Sequence, residues 1–308
     1  MLMKDEMTLG KDYSKVSLKQ QKPKSERVSL AIERTLIYIF LILLSVMCLF
    51  PFYILIVNST RDTASIQQSF TLIPGTHFVE NWKGLMSNTH LPIVRALGNS
   101  VWVSALSAIL TVYFSALTAF AIHTYQFKLK KFVETFILAI MMIPNQVAAM
   151  GLVMIASKYQ FYNHNWLLYS MIIVPCIASP SVYFYMKQYL DSVLPYEIVE
   201  AARVDGSSEI RIFHQMVLPI LKPALAVQFI FAYVGSWNNL FLPSMLLREK
   251  NTFTVPIIFT QLNNDTTYLR EYGQIYLLMA LAVIPVVIVY LIFSRSIIKN
   301  LTAGAVKG

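Results

Sequence analysis

The chain has 308 residues, of which 56% are hydrophobic and only 13% charged. Soluble domains carry about 25% charged residues, so this composition excludes an ordinary water-soluble globule and points to lipid as the solvent. The formal charge of +9 does not make a nucleic-acid binder, because the basic residues sit in short segments between apolar runs rather than on one polar surface.

The first 34 residues are polar and mixed in charge. They read as a tail (1–34), flexible or forming a surface helix, ahead of a membrane domain spanning 35–308. The apolar run that follows is too long for a cleaved signal sequence and lacks a small-residue cleavage site, so it reads as a permanent anchor. Crossing a bilayer takes about 20 mostly apolar helical residues. Runs of that kind lie at about 35–57, 99–125, 135–157, 166–186, 223–247 and 272–294, and none has Asp, Glu, Lys or Arg in its interior. In lipid the backbone must satisfy its own hydrogen bonds, so each run is expected to be a helix. The expected fold is therefore all-α, a polytopic membrane protein with six transmembrane helices. Pro51, Pro144, Pro175, Pro180 and Pro285 fall inside these runs and should kink or break them.

Of the 25 basic residues, 18 fall in the tail and the segments on its side of the membrane and 7 on the other side. Basic residues collect on the cytoplasmic side, so both termini are expected there.

One cytoplasmic segment is too long to be a simple connection. Residues 191–222 read DSVLPYEIVEAARVDGSSEIRIFHQMVLPILK. Pro195 suits the first position of a helix, which would run to about Val204. Glu197 and Glu200 lie near its positive end, and with Arg203 they fall at successive threes on one face. Gly206 permits the left-handed residue that stops a helix. Ser207 or Ser208 can cap a second short helix through Phe213 and His214, with Leu218-Pro219 and Pro223 ending the unit and starting the fifth span. A lipid-surface helix would carry Lys or Arg on its polar face. Acids, small alanines and a glycine suit a protein partner instead.

The spaced set Glu200-Ala201-Ala202, Asp205-Gly206, Phe213 and Leu218-Pro219 resembles the EAA loop of ABC importer permeases. The resemblance implies a coupling helix docking into a cleft of a separate ATPase subunit. Glu197, Glu200, Ala201, Ala202, Arg203, Asp205, Gly206, Phe213 and Pro219 would form the coupling surface. The carboxyl terminus, Leu301 through Gly308, is similar to that of carbohydrate-uptake permeases typified by the smaller membrane subunit of the maltose transporter. By that likeness Gly304, Lys307 and Gly308 would reach toward the ATPase interface. Gly235-Ser236-Trp237-Asn238-Asn239 is also similar to a segment of those permeases, with Asn239 where the family has a glutamate. The resemblance covers about 35–308. It implies a bacterial cell membrane, an ABC ATPase dimer, a second homologous permease, an extracytoplasmic solute-binding protein and surrounding lipid. The implied cargo is a sugar or oligosaccharide.

Asn145, Gln146, Trp237, Asn238 and Asn239 place amides and an aromatic face at depth in the spans. Those groups suit a carbohydrate path, and equally suit hydrogen bonding between helices. His123 is the one ionisable group near a span interior and reads as interfacial. Cys48 and Cys176 have no metal-ligand spacing. The sequence holds no GxxxxGK[ST] loop and no HExxH or GxSxG, so no enzyme is expected, no cofactor or metal is expected in this chain, and ATP and Mg would be bound by the partner ATPase. The alternatives are a self-sufficient channel or ion-coupled carrier, which would need intramembrane charge, and a membrane scaffold.

Overall fold

Apolar runs of this length can bury their backbone only as helices, and the computed structural model of the chain, which describes residues 24–88, 91–264 and 271–305, contains helices, turns and no strand among those residues. The chain clusters into two units, residues 1–54 and 55–308. The described part of the first unit belongs to a single helix, α1 (Lys24–Ser59), which continues through Pro51 into the second unit. It begins ten residues before the polar-to-apolar transition at Arg34, so residues 24–34 are helical and continuous with the first span.

The second unit then runs α2 (Thr63–Gln68), α3 (Phe78–Met86), α4 (Ile93–Thr124), α5 (Lys130–Ile140), α6 (Asn145–Lys158), α7 (Asn165–Ile173), α8 (Pro180–Val193), α9 (Tyr196–Val204), α10 (Glu209–Ile212), α11 (Leu218–Trp237), α12 (Phe241–Leu246), α13 (Val255–Asn264) and α14 (Tyr272–Ala305). Five stretches are long and apolar enough to cross a membrane, and α5 with α6 makes a sixth, bent by 88°. The third span is thus two helices rather than one. Pro144 caps α6 in extended geometry, and the residue before a proline avoids the helical region.

The fourth span is also broken. α7 passes into a short 3-10 turn, Val174–Ile177, before α8 starts at Pro180. Pro180 lacks the N–H that would bond the Cys176 carbonyl four residues back. The Thr111 hydroxyl of α4 donates to that carbonyl instead, at 2.8 Å, and Ser115 donates to Ser179 O at 3.4 Å. Non-helical backbone inside a bundle survives where a neighbour supplies such partners.

α4 is the hub. It packs along α8 and α11, and α11 packs on α14. The buried face of α4 carries Ser100, Ser104, Ser107, Ala108, Thr111, Ser115, Ala116 and Ala119, small residues that let helix backbones approach closely. One core cluster gathers Phe120, Met186, Leu190, Val199, Phe213 and Leu221 around the end of α4 that meets the 191–222 loop. A second gathers Leu85, Ile93, Leu168, Leu246, Ile258 and Leu278 at the opposite end of α4.

The segment after α1 is tied to the start of α14 by Thr63, whose hydroxyl accepts from the Tyr272 N–H at 3.0 Å and donates to Glu271 Oε2 at 2.8 Å, and it is ordered by a buried arginine. The Arg61 guanidinium donates to Asn58 Oδ1 at 3.3 Å, to Ser65 O at 2.6 Å and to Ser69 O at 3.0 Å. Asn81 of α3 donates to Ser59 O and Arg61 O, both at 2.9 Å. Gly273 lies against the Arg61 carbonyl and the Asn81 amide, well inside the distance a Cβ tolerates, whereas nothing approaches a Cβ built on Gly98 of α4. Overpacking typically costs about 1–3 kcal/mol. Gly273→Ala should therefore lower the thermal midpoint of the detergent-solubilised chain, while Gly98→Ala leaves it level or raises it. Equal midpoints for the two variants would refute the tight fit.

Candidate functional site: the two-helix loop

The loop grows out of the end of α8. Leu194 caps α8, with its N–H on Leu190 O, and Pro195 follows at φ −60° and ψ 139° as the N-cap of α9. The sequence places Pro195 inside the helix; it stands one position earlier, because a β-region ψ ends the preceding chain and starts the next helix in one residue. Glu197 occupies the acidic first turn of α9 and Arg203 its last, each at the end of the helix dipole that favours it.

α9 ends in a Schellman turn. Gly206 is left-handed, at φ 79°. Its N–H bonds Arg203 O at 3.0 Å, and the Ser207 N–H bonds Ala202 O at 3.0 Å. Ser208 then caps α10 by accepting from the Arg211 N–H at 3.4 Å. The second arm is not a separate helix ending at Pro219. α10 passes through a π-helical turn, Phe213–Val217, straight into α11. The Leu218 N–H bonds Phe213 O, a five-residue step that widens the helix just where Pro219 brings no N–H, so the proline is accommodated without a break. The fifth apolar stretch accordingly runs from Glu209 to Leu246, with Pro219 and Pro223 inside it.

The loop has two faces. Val199 and Ala202 turn inward beside Phe213, which is completely buried. Phe213 meets Phe120 at 5.6 Å and the edge of Tyr113 at 5.8 Å between ring centroids. Glu197, Glu200, Ala201, Asp205 and Gly206 are exposed, as is Pro219 at the foot of α11. The two alanines therefore part company: one helical step of about 100° puts Ala201 outside and Ala202 in the core.

Arg203 does not reach outward. Its Nε donates to Glu209 Oε1 at 2.6 Å and its Nη2 to Glu209 Oε2 at 3.2 Å, bridging the turn in a bidentate pair. Its guanidinium lies 5.3 Å from the centroid of the Tyr125 ring. The bonded Glu209 carboxylate raises the Arg203 pKa above its already high ordinary value, so the cation is fixed. Sequence reasoning missed Glu209 and Tyr125, which are six residues and seventy-eight residues from Arg203. It also missed Val204 and Ile210, 87% and 73% exposed, which put bare apolar surface beside the acids. Their signal was present: two β-branched hydrophobes flanking a glycine turn in a segment otherwise shielded from lipid by charge.

Of the residues read as a path, Asn145, Gln146 and Asn238 are exposed and Asn239 is half-buried. Asn145 and Gln146 open α6 directly after the 88° bend. Trp237 is buried, stacked on Tyr233 with centroids 5.9 Å apart, so it belongs to the chain's own core. Gly304 falls in the last described turn of α14; Lys307 and Gly308 lie outside the described residues. Among the described residues no group of three His, Cys, Asp or Glu side chains could hold a metal ion.

The sequence matches the family described as the binding-protein-dependent transport system inner membrane component over residues 112–302. It is 34% identical to an arabinooligosaccharides transport system permease protein of Halalkalibacterium halodurans, over 84% of this chain and 91% of that one. It is 30% identical to an sn-glycerol-3-phosphate transport system permease protein of Escherichia coli K12, over 82% and 90%, and 27% identical to a lactose transport system permease protein of Rhizobium radiobacter, over 88% and 95%. Its fold is that of a membrane chain in the crystal structure of a bacterial ABC transporter involved in the import of the acidic polysaccharide alginate, with a TM-score of 0.67 at 17% identity, over 89% of this chain and 98% of that one. An all-helical membrane bundle, a loop carrying the spaced EAA pattern and a family match over most of that bundle together mean that this chain belongs to the inner membrane components of binding-protein-dependent transport systems, the permease subunits of ABC importers.

Proposed function

We propose that this chain is one of two homologous membrane subunits of a carbohydrate importer, and that the loop 191–222 docks it onto a separate ATPase dimer. The observation that carries the reading is the two-faced loop. Its inner face is locked into the chain's core by Phe213, Val199 and Ala202, while its outer face exposes Glu197, Glu200, Ala201, Val204, Asp205 and Ile210. Exposed apolar groups rimmed by acids are the composition of a protein-docking patch. Within the coupling set, Arg203 and Phe213 act by holding the loop's shape, and Glu200 and Ala201 by touching the partner. Gly304, Lys307 and Gly308 extend the same contact from the carboxyl terminus. ATP and Mg belong to the partner.

The basic residues support placing both termini and the loop in the cytoplasm, 18 on that side against 7. An extracytoplasmic binding protein would then deliver cargo to the opposite face. Relatives named for arabinooligosaccharides, lactose and sn-glycerol-3-phosphate share hydroxyl-rich cargo, and the exposed amides of Asn145, Gln146 and Asn238 suit hydroxyls. Asn239, half-buried, supplies a further amide.

Gentle affinity purification from native membranes tests the assembly. The expected result is stoichiometric recovery of one ATPase and one second permease, and loss of the ATPase with the surface variant Ala201→Trp. Recovery of the chain alone would favour a self-sufficient channel or carrier.

A further inference from the structure

Besides the buried Phe213 ring and the Tyr113–His214 hydrogen bond, two further contacts hold the loop onto the bundle, and both come from the carboxyl-terminal end of α4. His123 is the first. Its Nδ1 lies 2.8 Å from Asp191 Oδ1 and its Nε2 lies 3.0 Å from the Leu194 carbonyl. Both partners are acceptors, so the contact is complete only when both ring nitrogens carry hydrogen. Leu194 immediately precedes the N-cap of α9, so this hold fixes where the loop begins. Asp191 is also bonded by Lys187 at 2.9 Å, and Lys187 lies 3.6 Å from Glu134 of α5. The second hold is Tyr125, the C-cap of α4, whose ring receives the Arg203 guanidinium. Arg203 in turn grips Glu209 across the Gly206 turn. This hold fixes the corner between the two arms.

α4 is the most deeply buried span, with half of its apolar window inside the protein, and it touches α8 and α11, the helices on which the loop begins and ends. A displaced loop therefore pulls on the end of α4 through these contacts, and α4 has no route to yield except with its neighbours. A close-packed interior transmits such a displacement rather than absorbing it.

We propose that His123 and Tyr125 are positioning residues that pass movement of the docking loop into the transmembrane bundle through the end of α4. This rests on the docking role of the loop, and adds to it the seat through which docking acts. Neither residue meets the ATPase. Their effect is on what the bundle does once the ATPase is bound.

The test uses the complex purified with its own ATPase and second permease. Cysteines are placed at Met142 and Phe231, both exposed on the bundle, in a background lacking Cys48 and Cys176. Spin labels there report the distance between the broken third span and α11, with and without ATP, Mg and vanadate. In the parent complex nucleotide trapping should shift that distance. In His123→Ala and Tyr125→Ala the ATPase should still co-purify and hydrolyse ATP, and the shifted population should fall about tenfold, as for loss of one hydrogen bond or one ring–cation contact. Tyr125→Phe keeps the ring and loses only the hydroxyl's bond to Glu209, so it should keep most of the shift, whereas Tyr125→Leu fills the space without a π face and should lose it as Tyr125→Ala does; a general packing defect would be relieved by both, and equal shifts in Tyr125→Leu and Tyr125→Phe overturn the proposal. A full shift in both alanine variants overturns the proposal, and so does loss of the shift in Tyr125→Phe to the same degree as in Tyr125→Ala. If no ATPase co-purifies with the parent chain, the docking reading itself falls, and the seat falls with it.

Discussion

Phe213→Ala should destabilise the folded chain by about 3–5 kcal/mol, the range for emptying a fully buried aromatic site. Phe213 has no exposed surface. It sits at the first residue of the π-helical turn and fills the space between Phe120 and Tyr113 of α4 and the loop residues Val199 and Ala202. Three elements meet on that ring, so its loss cannot be closed by a shift of any one. The edge-on contact with Tyr113, at an interplanar angle of 77°, adds to simple burial. A chain this size loses a few degrees per kcal/mol, so the thermal midpoint in detergent should drop by about 10 °C. Phe213→Leu refills most of the volume and should lose less than half as much. A midpoint for Phe213→Ala within about 2 °C of the parent would mean that the site collapses freely and that the loop is not anchored there.

The same residue marks where sequence reasoning stops. Phe213 was legible as a member of a spaced pattern, but pattern alone assigns it to a docking surface. Burial assigns it to the core. Ala201 and Ala202 divide the same way, because identical side chains at adjacent helical positions differ only in which way they face, and that is settled by α4 and α11, far away in the chain. The six spans were legible because each is a long run without charge and the bilayer sets the required length. Their breaks were half legible. The prolines at 144, 175 and 180 announced disruption, and Pro219 and Pro223 announced a boundary between the loop and the fifth span where the helix in fact runs on. The difference lies in what surrounds each proline. Thr111 takes the carbonyl freed by Pro180, whereas the π-helical turn before Pro219 removes the need for its N–H. Neither remedy can be read locally. The helices α2 and α3 and the Arg61 cluster were not read at all, since short polar segments carry no periodic signal and are held by backbone carbonyls that sequence does not display. His123 was read as interfacial, and its two acceptors, 68 and 71 residues away, give that position a use.

The loop turn offers the sharpest separation of shape from stability. Gly206→Val should leave the bundle folded and abolish most nucleotide-driven uptake. Gly206 adopts φ 79°, and an L-residue in the left-handed region costs about 1–2 kcal/mol, more when branched at Cβ. Nothing lies near a Cβ at this position, so the penalty is purely one of backbone conformation. The chain can escape it only by opening the turn, which breaks the Gly206-to-Arg203 and Ser207-to-Ala202 bonds and carries Glu209 away from Arg203. The outer face then no longer presents Glu200, Ala201 and Val204 in one fixed relation to Ile210. A penalty near 2 kcal/mol corresponds to about a thirtyfold loss of the docking-competent shape, and nucleotide-driven uptake by reconstituted complexes should fall accordingly. The order of the variants matters more than the size of any one. Asparagine tolerates the left-handed region, so Gly206→Asn should stay nearest the parent, Gly206→Ala should fall between, and Gly206→Val should be worst, while all three keep the parent's thermal midpoint to within a few degrees. Cβ bulk would rank asparagine with or below alanine. Uptake that follows side-chain size, or that ignores the substitution, would show that the left-handed turn is not what presents the loop to its partner.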